Sequence, residues 1–186
     1  MDKQITIHDA TIAYEVIRRN VKNPKLEYGR SKLKVIVPEK YTDPEGLIQR
    51  HRRWIYNRHS RMQSILSGAK QLELDAERCE EDFRALVHIL VNTIGNEKGV
   101  KPEKVRFRKM KTKWGSCSSK GNLNFNSHMR QLPEDMIEYV VFHEMVHLIE
   151  LNHSSRFWEH IRSRYPDHKE KEKQLSSYWH LLQNSF

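Results

Sequence analysis

The sequence predicts an α+β fold, in which a small antiparallel or mixed sheet packs on a central helix and a helical C-terminus follows. Three observations predict it. Alternating segments at Ile5-Thr6-Ile7 and Leu33-Lys34-Val35-Ile36-Val37-Pro38 read as short strands. Apolar residues then recur at helical spacing through two long stretches, 44–68 and 74–97. A second group of short strands, at Val105-Arg106-Phe107 and Leu123-Asn124-Phe125, comes just before a helix opened by Pro133-Glu134-Asp135.

Taken in order, Gly29 lies near a turn between the first strands. Asp43-Pro44-Glu45 is a helix start, because proline suits the first helical position and acidic groups suit the positive end. From there Leu47, Trp54, Ile55, Met62 and Ile65 approximate one face of a single helix ending near Ser67-Gly68. The next helix presents Phe83, Leu86, Val87, Leu90 and Ile94, and Gly95 or Gly99 terminates it. Lys113-Trp114-Gly115-Ser116-Cys117 enters a turn, Lys120-Gly121-Asn122 makes a tight one, and 123–125 returns as a strand. Met136, Ile137, Val140, Val141, Met145 and Leu148 form the apolar side of the following helix, and Asn152 marks its stop. Helices over 154–164 and 167–182 complete the chain. With no repeat, low-complexity tract or linker, residues 1–70 read as a subdomain (strands plus a basic helix) beside a metal-binding catalytic domain over 71–186, the two forming one compact unit.

A chain of 186 residues suffices for one well-buried core and is short for two. Charged residues make up 31% but fall on both signs, which favours a folded domain with a charged surface over a disordered one. The net charge of +9 favours approach to anions through the basic surface, whether nucleic acid, nucleotide or acidic protein, and it equally suits a soluble protein with no such partner. The segment His51-Arg52-Arg53-Trp54-Ile55-Tyr56-Asn57-Arg58-His59 mixes cations with aromatics, as single-strand binders do. The favoured reading places Trp54 and Ile55 in the core and leaves the arginines solvated. Met1-Asp2-Lys3-Gln4-Ile5-Thr6 carries no basic segment followed by an apolar run, and no apolar run reaches the ~20 residues of a membrane span. With only Cys79 and Cys117, in no metal-type spacing, a cytoplasmic location is expected, with no membrane partner.

The most informative residues are His143-Glu144-Met145-Val146-His147, with His153 six positions on. On a helix, residues four apart share one face, so two imidazoles can grip one Zn²⁺ while a third ligand arrives from beyond the helix. Glu144, beside the first ligand, is placed to act as general base. The competing reading is a helix of solvated histidines that bind nothing. Against it stand the strength of the helical pattern, the spacing of His153, and the edge-like hairpin that precedes the helix. A partner group must stabilise the oxyanion, and His128, Arg130 and Tyr139 are candidates. The ligand spacing equals that of H-E-x-x-H-x-x-G-x-x-H proteases, but Glu150 stands where those have glycine. The helix is therefore expected to continue to about Leu151 and turn at Asn152, a residue that tolerates left-handed geometry.

The blocks Lys113-Trp114-Gly115-Ser116-Cys117-Ser118-Ser119-Lys120-Gly121-Asn122, Tyr139-Val140-Val141-Phe142-His143-Glu144 and Asn152-His153-Ser154-Ser155-Arg156-Phe157-Trp158 resemble the YgjP-like metallopeptidase family, related to the WLM and SprT-like zinc proteases. The resemblance covers about residues 105–158 most strongly. It implies a minimal zincin-like (gluzincin-like) metallopeptidase fold, one zinc ion per chain on His143, His147 and His153, and Glu144 as catalytic base. The segment 114–126 suits an edge strand beside the active-site helix, to which an extended peptide could add by main-chain hydrogen bonds. Trp114, Gly115, Ser116, Asn124, His128 and Arg130 are the candidate substrate-binding residues. Trp114 and Phe125 also suit packing beneath the helix, and Phe157 and Trp158 suit packing that holds the His153 turn. Cys117, which nothing in the sequence activates, reads as a small buried apolar residue. The expected function is a zinc metallopeptidase acting on a peptide or protein. The alternatives are a metal-dependent nucleotide phosphohydrolase and a nucleic-acid-associated protease or binding module.

Overall fold

The computed structural model describes residues 3–29 and 32–184. Met1 and Asp2, part of the stretch read above for a secretory signal, lie outside the described residues. The chain divides into two compact units, residues 1–68 and 69–186. Among the described residues no helix is long and apolar enough to cross a membrane.

The first unit is a four-stranded sheet with two helices. Strands β1 (Lys3–Ile7), β2 (Ala10–Arg18), β3 (Lys25–Tyr28) and β4 (Leu33–Val37) are ordered β1-β2-β4-β3. β1 and β2 pair antiparallel around His8, whose φ of 55° provides the tight turn. β2 pairs parallel with β4, and β3 antiparallel with it. Alternate residues Ile12, Tyr14, Leu33, Val35 and Val37 are buried with Leu47, Ile48 and Ile55 in one cluster. The single helix expected over 44–68 is instead two, α1 (Pro44–Arg50) and α2 (Arg52–Ala69), broken at His51. Asp43 caps the first by accepting from the Gly46 amide. Ile55 is fully buried as expected, whereas Trp54 is 44% exposed. The break at His51 turns the second helix, so the face extrapolated from Leu47 does not carry through to Trp54.

The second unit holds the H-E-x-x-H helix. It comprises α3 (Glu80–Lys98), β5 (Lys104–Arg108), β6 (Gly115–Cys117), β7 (Asn122–Asn126), a short 3₁₀ helix (Ser127–Gln131), α4 (Glu134–Val146), α5 (Ser155–Arg164) and α6 (His168–Asn184). β7 is central, parallel to β5 and antiparallel to β6, so β6 is an edge. The result is the α+β arrangement the sequence predicts, with a small mixed sheet on the helix and helices closing the chain. α3 starts at Glu80, not near Leu74, because Asp75 accepts from the Glu77 and Arg78 amides and ends any helix there. The Arg78 guanidinium donates to the Arg130 and Leu132 carbonyls, making 75–78 a strap over the segment that leads into α4. α3 ends at Gly99, which adopts the left-handed cap (φ 67°).

α4 is buried on almost every side: Met136, Ile137, Val140, Val141, Phe142, Met145 and Val146 join Phe83, Val87, Ile94, Leu123 and Phe125 in one core. Burial of this extent is what fixes the helix, and with it the direction of its polar residues. Asn126, completely buried at the end of β7, organises the adjoining loops. Its amide donates to the Met110 and Lys113 carbonyls, and its carbonyl oxygen accepts from the Met110 and His128 amides. Asn126→Ala removes all four bonds and leaves main-chain groups unsatisfied in the interior. It is expected to cost about 2–4 kcal/mol, measured as a lower urea midpoint at constant m-value.

Candidate metal centre

α4 presents His143 and His147 on one face, one turn apart, and His153 meets them from the loop before α5. One nitrogen from each of the three lies within 4.8 Å of the others. The Nε2 atoms of His143 and His153 are 3.1 Å apart. Two nitrogens on one tetrahedral zinc, each at about 2.05 Å, are roughly 3.3 Å apart, so this is the spacing of shared ligands. His147 Nδ1 faces the Glu150 carbonyl at 3.0 Å, which makes Nδ1 the protonated nitrogen and leaves Nε2 with a free lone pair. Burial pushes His143 down to about 3, with His147 and His153 adding to the effect. His147 is lowered as well, chiefly by burial. Both imidazoles are thereby held neutral, the form that binds a metal.

Phe157 sets the geometry from beneath. Its ring stacks on His147 at 4.5 Å and meets His143 and His153 edge-on at 4.9 and 4.6 Å. Trp158 stacks on the His153 ring at 5.6 Å. Both are on the first turn of α5, whose N-cap Ser154 accepts from the Phe157 amide. The cap is adjacent to His153, so the start of α5 and the position of the third imidazole are set together.

The link from His147 to His153 differs from expectation. α4 ends at Val146, not near Leu151. Leu148 and Ile149 donate to Met145 and Val146 in tight three-residue steps, so the last turn winds up. Glu150 then accepts from His147 through its carbonyl and from Ser154 through its carboxylate. Among the described residues only His8 is a non-glycine with positive φ, so Asn152 does not make a left-handed turn. Its carbonyl instead accepts from the Ser154 amide. Glu150 thus stabilises by hydrogen bonding a bend that glycine would make by conformational freedom.

Glu144 is 6% exposed and lies against β6. A Cβ on Gly115 would fall 2.6 Å from Glu144 Cγ, so the glycine is the space the carboxylate needs. Burial pushes the carboxyl up to about 8, opposed by the Lys113 charge and a hydrogen bond from the Cys117 main chain. Oε2 is buried with no hydrogen-bond partner among the described residues. Cys117, half-buried, has its thiol pushed up to about 11 by burial and then by Glu144, which rules it out as a thiolate nucleophile at neutral pH.

The other predicted residues fall in two places. Ser116 and Asn124 pair across β6 and β7, their side chains 3.3 Å apart. Trp114 donates to the Leu175 carbonyl and meets Trp179 edge-on at 4.8 Å, so its ring is held by α6. His128 and Arg130 line a separate groove alongside Trp179. Tyr139 is only 1% exposed, packed edge-on against Tyr165, and its hydroxyl has no hydrogen-bond partner among the described residues. This burial removes it as a donor to a bound substrate. Sequence reasoning missed Asn126, whose one signal is an amide placed where the strand pattern ends.

Residues 73–178 match the YgjP-like metallopeptidase domain, more than half of the chain. The chain belongs to the YgjP-like metallopeptidase family. The matched span contains the three histidines, Glu144 and the β6–β7 hairpin. Two crystal structures are similar at lower levels. The metallopeptidase zymogen of Pyrococcus abyssi abylysin is 26% identical, covering 47% of this chain and 87% of that one, with a TM-score of 0.42. The zymogen of Methanocaldococcus jannaschii jannalysin is 23% identical, covering 48% and 84%, also at 0.42. No curated protein matches the sequence.

Ser154→Ala removes the α5 cap beside the centre. A loss of about 1 kcal/mol is expected, read as a lower unfolding midpoint in urea.

Proposed function

We propose that this metallopeptidase is zinc-dependent, with His143, His147 and His153 holding one ion per chain and Glu144 serving as general base. One observation carries the reading: three imidazole nitrogens converge within 4.8 Å near a buried carboxylate whose Oε2 has no partner among the described residues. A cation fits this donor set, since nitrogen-only ligation suits zinc and a lone polar oxygen buried without a partner is costly. When bound there, zinc supplies Lewis acidity, polarising a scissile carbonyl and lowering the pKa of water toward neutrality.

The rest follows from the chain itself. β6 is an edge strand, so an extended peptide can pair with the outer main-chain groups that Glu144 does not engage and lie across the end of that side chain. The Cys117 amide holds one carboxylate oxygen, leaving Oε2 to take the proton from the attacking water. Burial brings the carboxyl into the working range of a general base, and the same group then returns the proton to the departing amine. Phe157 and Trp158 hold the imidazoles still through the cycle. The two cysteines are free thiols, which supports work in a reducing compartment.

In a peptide-cleavage assay, Glu144→Gln is expected to lower kcat by about 10²–10⁴-fold while metal analysis still finds zinc bound. Full cleavage by that variant rejects the assigned base. Chelation abolishes cleavage in the parent protein, and added zinc restores it; activity that survives removal of all metal rejects the centre. Gly115→Ala pushes Glu144 aside without touching a ligand. A fall in kcat of about 100-fold at unchanged zinc content is expected from steady-state kinetics.

A further inference from the structure

The second unit contains a groove of ≈ 1050 Å³ that the catalytic reading leaves unused. Lys109, Lys111, His128 and Arg130 line one part of it, and Trp179 and Leu182 another. Its one carboxylate, Glu80, already pairs with Arg84 at 3.0 Å. No ion pair among the described residues involves Lys109, Lys111, Lys113 or Arg130. The positive charges converge, since Lys109 and Arg130 both act on His128 to lower it, after burial. The groove therefore carries a net positive charge in an amphipathic setting.

It is also tied through the chain to the β6 edge. Lys109 and Lys111 precede β6 in the chain, and four residues span at most about 14 Å, so Lys111 lies within that distance of Gly115. Asn126 binds Met110, Lys113 and His128 together, locking the groove wall to the start of β6. Trp114, next to Gly115, packs on Trp179, a residue of the groove lining. An extended chain paired with β6 would continue past Trp114 toward these cations.

We infer that this groove selects acidic polypeptide substrates, its lysines and Arg130 pairing with aspartate or glutamate side chains about three to six residues from the scissile bond. The inference rests on the peptidase reading for the direction of the chain. Nucleic acid is disfavoured because Trp179 is already engaged by Trp114 and the groove leads to a peptide-pairing strand.

The test uses the zinc-loaded Glu144→Gln protein, so that cleavage cannot intervene. Fluorescence anisotropy would compare a labelled peptide of Gly, Ser, Asp and Glu with its Asn/Gln counterpart. About tenfold tighter binding of the acidic peptide at low salt is expected, fading as salt rises. That preference should vanish in the Lys109→Ala/Lys111→Ala/Arg130→Ala variant, all exposed positions, with the urea midpoint confirming that it folds. Equal binding of the two peptides overturns the proposal, as does a preference that survives the triple variant. Tighter binding of a single-stranded DNA oligonucleotide through the same three residues also overturns it. Acid preference without cleavage of any peptide by the zinc-loaded parent protein leaves the groove standing and removes the peptidase reading; cleavage indifferent to acidic residues does the reverse.

Discussion

The constraint on which this site depends is a carboxylate held out of water against a glycine backbone. Burying an acid with one main-chain donor is unfavourable, and Glu144 reflects it in a pKa raised to about 8. Such an arrangement persists only where the surroundings leave no alternative. α4 is enclosed by α3, the β5–β7 sheet and the helices that follow it, so it cannot rotate to release Glu144 to solvent. Gly115 then supplies the one gap into which the side chain fits.

The two sides of the centre use different physics. On the acid side, the space is created by a missing Cβ and the charge is tuned by desolvation. On the histidine side, aromatic rings do the positioning. Phe157 touches all three imidazoles, and its place is set by the cap that starts α5. Local capping chemistry at Ser154 is thereby converted into convergence of residues ten positions apart in sequence.

Much of this was legible in the sequence where local rules dominate. The start of α4 follows from Pro133-Glu134-Asp135, and α5 and α6 fall close to the helices expected over 154–164 and 167–182. The spacing of 143, 147 and 153 predicted a cluster, and those three side chains do come together. Other features depended on partners distant in the chain. β3 has only Leu26 and Tyr28 as apolar residues, and β2 finds β4 in parallel only after β3 has intervened. The late start of α3 comes from one hydrogen-bonding side chain, Asp75, and the break at His51 from a local change in main-chain angles, neither of which hydropathy registers. Gly115 reads as a turn residue in sequence; only its approach to Glu144 reveals that its function is to be small. Asn126 is one polar residue at a strand end until the loops fold onto it.

Because two of the imidazoles belong to α4 and the third stands one residue before the cap of α5, any cation they share is a cross-link between two helices. Occupancy then contributes to folding free energy in proportion to the logarithm of free metal. The protein's lifetime, and not only its turnover, would track the metal supply of its surroundings. A chain emptied of its ion would be the one most readily unravelled from α5 onward.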